Sequence, residues 1–222
     1  YPLGKSIFTI KCLSICWNGI RWIGAGIGDN TLGYSADGIN WVGLGKTIFS
    51  EQCCGIKWNE GKCNIIIQHP TIALGYGLDS ILYSNDGINW LGLGRTIFES
   101  AEKACWNGSY WVAVGTGNYS IAYSRDGFSW LPVEESLSIF TCGYNIAWNG
   151  SLWVATGTGN YSIAYSKNAI NWIPIKNSNL LITYGYGITW TGERWIIVGE
   201  GNNSIICSKD GGFSWYGVKN CK

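Results

Sequence analysis

The sequence has no methionine, one histidine (His69), four prolines and four arginines (Arg21, Arg95, Arg125, Arg194), and each scarcity removes a class of function. A single His beside nine cysteines that form no C-x-x-C pair leaves no ligand set for a tetrahedral zinc site. It leaves no Ser-His-Asp arrangement either, and the closest Cys-His approach in sequence is Cys63 with His69. Charged residues make up 13% of the chain, the formal net charge is +1, and Lys and Arg are scattered singly. Nothing supplies the basic footprint that a phosphate backbone or an anionic membrane surface requires. No apolar run approaches the roughly 20 residues that span a bilayer, and no basic start followed by an apolar stretch marks a signal peptide. The expectation is therefore no nucleic acid, no membrane insertion, no metal and no cofactor. Because the sequence opens on Tyr1 and lacks Met, a processed or trimmed form is expected.

What the chain has in excess is tryptophan, 14 residues in one recurring pattern. The first Trp of each unit is Trp17, Trp58, Trp106, Trp148 and Trp190, at separations of 41, 48, 42 and 42 residues. A second follows five residues later in four units, as Trp22, Trp111, Trp153 and Trp195. A third closes a short box that begins with serine. The boxes are marked by Ser35, Asp37 and Trp41; by Ser84, Asp86 and Trp90; by Ser124, Asp126 and Trp130; by Ser166, Asn168 and Trp172; and by Ser208, Asp210 and Trp215.

Within a unit, runs of four to seven aromatic and β-branched residues alternate with Asn, Gly, Ser or Asp, which predicts four strands in an antiparallel meander. Asn-Gly after the first Trp suits a tight hairpin. No apolar period near 3.6 persists for ten residues, so no helix of consequence is predicted. A lone four-stranded sheet cannot bury both faces, but sheets arranged radially stack face on face. The expected fold is all-β: one domain over residues 1–222, a five-bladed β-propeller with four antiparallel strands per blade. Its repeats run approximately over residues 9–49, 50–98, 99–140, 141–182 and 183–222, with residues 1–8 completing closure. A solenoid of stacked repeats is the alternative. Closure is expected because YPLGKSIF at the start matches the stretch after the third Trp elsewhere (WVGLGKTIF), so that first and last segments should pair by hydrogen bonds. The second unit carries eight extra residues, expected to protrude as a hairpin around Lys62 to Pro70, and has Thr71 where the second Trp should stand.

The S-x-D-(x)-G-x-x-W boxes resemble the Asp-box of sialidases and other propeller proteins, and the resemblance extends over the chain through five copies. It implies a turn between third and fourth strands whose Asp accepts backbone amides, whose Gly takes the required φ and whose Trp packs between sheets. These are structural roles, on the rim away from catalytic groups. The tandem, Asn- and Ile-rich character is also similar to propeller-repeat proteins of large DNA viruses. Sialidases of this repeat type imply three arginines on a carboxylate and an Arg-Ile-Pro signature. Here the signature is absent and three of the four arginines fall at turns, so that activity is excluded. Glu51, Glu99, Glu102, Glu134, Glu135, Asp29, Asp79 and Glu200 share one predicted face, where a glycosidase pair is conceivable, but they read as solvated rim acids. The chain is expected not to be an enzyme.

Ligand-contact candidates are the turns between second and third strands: Asn30, Asp79, Asn118, Tyr119, Asn160, Tyr161, Asn202 and Asn203, where Asn and Tyr beside Gly suit sugar hydroxyls and ring stacking. Their alternative reading is plain turn chemistry. N-x-S sequons fall at Asn107, Asn118, Asn149, Asn160 and Asn202. Most cysteines read as small buried hydrophobes; in an oxidising compartment Cys12 and Cys221, near the two ends, are the first pair to test. Function is expected to be a scaffold for protein interaction, with a patch around Ile65 to Ile67, or alternatively a multivalent lectin.

Overall fold

In a computed structural model of the chain, residues 6–58 and 70–218 are described. The strands run as β1 (Lys11–Trp17), β2 (Trp22–Ile27), β3 (Leu32–Ser35) and β4 (Trp41–Gly43), then β5 (Gln52–Lys57), β6 (Thr71–Tyr76), β7 (Ile81–Ser84) and β8 (Leu91–Gly92). A third group is β9 (Phe98–Trp106), β10 (Trp111–Gly117), β11 (Ile121–Ser124) and β12 (Trp130–Pro132). The fourth is β13 (Cys142–Trp148), β14 (Trp153–Thr158), β15 (Ile163–Ser166) and β16 (Ile173–Pro174), and the last is β17 (Tyr184–Trp190), β18 (Trp195–Glu200), β19 (Ile205–Ser208) and β20 (Tyr216–Gly217). Each group of four is an antiparallel meander in sequence order, and the second and third share a sheet through one bridge, Tyr76 to Ser100. Among the described residues helix is confined to a 3₁₀ turn at Ser136–Ser138 and one turn, α1 (Ser178–Leu181).

Local chemistry sets each hairpin. In the first, Trp17 pairs with Trp22 and their rings lie 5.4 Å apart. The Asn18 side-chain oxygen accepts the amides of Ile20 and Arg21 at 3.1 and 2.9 Å, and Gly19 takes φ 87°, which a Cβ would resist. Asn107 and Asn149 repeat the bond, and Thr191 supplies it in the last group. Thr71 pairs with Ser84 as Trp22 pairs with Ser35, so it holds the register of the missing Trp. In the boxes, Ser35 donates to Asp37 at 3.0 Å while Asp37 accepts the amides of Ile39 and Asn40 at 2.8 and 2.7 Å. The same set recurs at Asp86, Asp126 and Asp210, and Asn168 reproduces it with its amide oxygen.

The core lies between neighbouring meanders. Ile23, Ala25 and Leu32 of the first pack on Cys53, Ile56 and Ala73 of the second. Ile72 and Leu74 meet Trp111 and Ala113, Val112 and Val114 meet Trp153 and Ala155, and Val154 meets Trp195 and Ile197. One face of each second strand therefore packs on the opposite face of the next. The expected bonding of first to last segments falls largely on residues 1–5 and 219–222, outside the described residues; among the described ones β1 pairs as a strand with β2, and β17 through β20 form a sheet of their own. The segment before β1 folds onto its own meander, with Asn30 donating to the Ile7 carbonyl at 2.9 Å and the Asp29 amide to Thr9 at 3.0 Å, while Phe8 lies over Gly24. The extra residues around Lys62, including Ile65 to Ile67, and Cys221 lie outside the described residues. Cys12, Cys53, Cys54, Cys105, Cys142 and Cys207 carry free thiols.

Candidate functional site

Every first strand slips by one residue against its second strand at one place shared by all five meanders, and β9 slips a second time between Phe98 and Ser100. The slips fall between Cys12 and Ser14, Cys53 and Gly55, Ala101 and Lys103, Gly143 and Asn145, and Gly185 and Gly187. The bulged residues are thus Leu13, Cys54, Glu102, Tyr144 and Tyr186. A bulge breaks the strict up-down alternation and re-aims one side chain. Because β1, β5, β9, β13 and β17 pack side by side in that order, the five bulged positions form an arc across neighbouring first strands.

Two neighbouring pairs in the arc touch, Cys54 with Glu102 and Tyr144 with Tyr186. The Gln52 amide donates to the Cys54 sulfur at 2.9 Å, and the Cys54 thiol donates to Glu102, which also accepts from Ser100 at 2.9 Å. Tyr144 donates to Cys142, whose sulfur accepts the Thr116 hydroxyl at 2.8 Å. The Tyr144 and Tyr186 rings meet edge to face at 5.3 Å, and Tyr184 stacks on Tyr186 at 6.1 Å and 19°. Tyr186 donates to Glu200. Beneath the arc, β5, β9, β13 and β17 enclose a cleft of about 420 Å³ lined by Lys57, Lys103, Cys105, Asn145 and Ile188 among others. Asn145 bridges two strands by donating to the Tyr186 carbonyl at 3.2 Å.

Protonation follows from burial. Desolvation, reinforced by the Cys142 thiol and the other tyrosines, raises Tyr144 to about 12. Desolvation, with the Glu102 charge adding to it, raises Cys54 to about 11, and burial also raises Cys142. At neutral pH the thiols are protonated and poor nucleophiles. The arc presents neutral rings, hydroxyl donors and two carboxylates, a combination suited to stacking on and hydrogen-bonding a polyhydroxylated ligand.

The turn residues singled out in the sequence sit on the same end of the sheets, where second strands finish and first strands begin, but most have their side chains committed to backbone. Asn118, Asn160 and Asn202 donate to the carbonyls of Thr96, Ser138 and Leu180 at 3.1, 3.1 and 2.8 Å. Asn30 and Asp79 accept the amides of Gly45 and Gly94 at 2.7 Å, and Asn203 donates to Leu181 at 2.8 Å. Tyr161 packs on the core between third and fourth meanders, and Tyr119 reaches Glu134 at 3.5 Å. The structure does not gather these eight residues together; each latches its own turn to the connection leading into a first strand. Sequence reasoning missed the bulged positions. In the fourth unit the bulge leaves buried Gly143 and Ile146 three residues apart inside one strand, breaking period two. Three arginines are spread over separate meanders, stacked on Tyr34, Tyr76 and Tyr110 at 5.3, 5.2 and 5.0 Å, so they do not converge.

No protein-family model matches the sequence, and no curated protein matches it. Solved structures do share the fold. The GH74 enzyme of Niastella koreensis aligns with a TM-score of 0.62 at 19% identity, over 97% of this chain and 32% of that one. An ancestral GH74 enzyme gives 0.72 at 13%, over 98% and 32%. A chain of the nidogen/laminin complex gives 0.65 at 12%, over 93% and 80%. The likeness is one of fold, to β-propeller proteins, and the chain spans about a third of the GH74 enzymes it resembles. It also corrects the expectation that this is not an enzyme: glycoside hydrolases are built on this architecture, so possible enzymatic relatives stand where none was expected.

Proposed function

We propose that the five meanders are the blades of a propeller-type scaffold and that its bulge arc binds carbohydrate. The observation that carries this reading is the contiguous run of Tyr144, Tyr186 and Tyr184 ending on Glu200, a platform for a sugar ring with an acceptor at its edge. Among the described residues the one ion pair joins Arg194 to Glu193, so Glu102 and Glu200 keep acceptor positions for hydroxyls. A further solved structure that shares the fold is named a GH74 xyloglucanase, from Xanthomonas campestris, which makes xyloglucan oligosaccharides the first β-glucan probes. The boxes, resembling Asp-boxes, join third to fourth strands and serve the frame.

The test is a glycan array that includes β-glucan oligosaccharides, with the wild type beside two double variants. Tyr144→Ala with Tyr186→Ala is expected to weaken binding at least tenfold, about 1.4 kcal/mol, with folding retained. Asn118→Ala with Asn160→Ala is expected to keep binding and lower the melting temperature. Binding lost only in the asparagine variant, or absent from folded wild type, sinks the assignment. A second reading, a scaffold for protein assembly, is favoured by the exposed apolar side chains Ile15 and Trp22 on the first meander and Val198 and Ile205 on the last.

A further inference from the structure

The stack has five meanders and four packed interfaces, and it leaves one face of the first and the opposite face of the last uncovered among the described residues. Repeat positions make this measurable. On the first meander, Ile15 is 56% exposed and Trp22 37%, whereas their counterparts Ile56 and Ile146 are 7% and 5% exposed and Trp111, Trp153 and Trp195 are fully buried. On the last, Val198 is 46% exposed and Ile205 42%, whereas Leu74 and Val114 stand at 1% and 0% and Leu32, Ile81, Ile121 and Ile163 at 3% or less. The contrast is specific to these faces. Val42, Leu91, Leu131, Ile173 and Tyr216, at one outer-strand position, are exposed in all five meanders.

The two uncovered faces are the two halves of an interface that the chain already makes four times. We infer that they pair between two copies of this chain, the last meander of one copy packing on the first of the next. A second copy is the occupant because it necessarily displays the matching half, with Val198 and Ile205 entering against Ile15 and Trp22 as Val114 and Ile121 enter against Ile146 and Trp153. Within one copy the halves do not meet: β17 packs on β13 and β14, and no comparable packing joins it to β1. The contact is head-to-tail, so each copy keeps one free half after pairing and assembly continues beyond the dimer.

The experiment is sedimentation velocity over a concentration series, using Ile15→Lys and Val198→Lys. Both sites are exposed in a single copy, so circular dichroism of each variant should match wild type. Wild type is expected to show concentration-dependent species larger than a dimer, and each variant alone a monomer. An equimolar mixture of the two variants is expected to form a 1:1 dimer, because each still carries the half that the other has lost. Wild type that stays monomeric at every concentration, as it would if the ends closed on each other, overturns the inference. So does a dimer of either variant alone, or a mixture that fails to associate.

Discussion

Asp86 shows what one carboxylate does in this repeat. Its burial pushes the carboxyl upward, but amides of Asn89 and Ile88, the Asn89 side chain and the Ser84 hydroxyl hold it below the ordinary Asp range. At Asp37 the Asn40 amide leads the same effect, and Asp126 and Asp210 are lowered too. A carboxyl depressed by folding stabilises the native state above its unfolded pKa, about 3.9, and that contribution fades as pH falls through and below this value. The melting temperature should therefore be flat from pH 7 to about 5 and decline toward pH 3. Asp86→Asn with Asp126→Asn should fold, since Asn168 already fills the role with bonds of 3.1 and 2.8 Å, and should decline less steeply on the same acid series followed by circular dichroism. Box positions were legible because a turn of this kind needs fixed residue types at fixed spacing. Asn118 and Asn160 were legible as turn residues, yet whether their amides face a ligand or a backbone carbonyl depends on a connection 22 residues earlier.

At the scale of the element, the start of each first strand or the connection into it carries an apolar residue over a glycine of the second strand. Phe49, Phe98 and Phe140 cover Gly75, Gly115 and Gly157, and a Cβ on Gly157 would stand 2.2 Å from the Cys142 carbonyl oxygen. Phe140→Ala should cost about 3–5 kcal/mol, read as a lower urea midpoint. Phe8→Ala, at the half-buried equivalent before β1, should cost clearly less by the same measurement. Strands and hairpins were legible because Trp, Asn-Gly and β-branched runs repeat within a single segment. The bulges were not, because a bulge is a relation between two paired strands and every unit has the same extra residue, so no unit looked longer than another. Only the side chains differ, from Leu13 to Tyr186, and that difference carries no meaning until the strands are laid side by side.

Across the whole molecule, stability is a sum of meanders and the interfaces between them. Amide exchange followed by mass spectrometry should find β10 and β14, covered on both faces, the slowest to exchange, and β1 and β17 faster. Uniform protection around all five meanders would mean that the ends are covered in solution. The propeller-like architecture was legible from the repeat count, since four-stranded meanders have few ways to bury two faces. Closure rests on end segments that lie largely outside the described residues, and matching sequence there fixes phase while leaving the angle between successive sheets undetermined. The tract GTGNYSIAYS occurs identically at residues 115–124 and 157–166. An unequal crossover between those tracts removes one complete unit, or adds one, with every junction residue unchanged and both end faces intact. Unit number in such a lineage is then a heritable quantity that changes in whole steps.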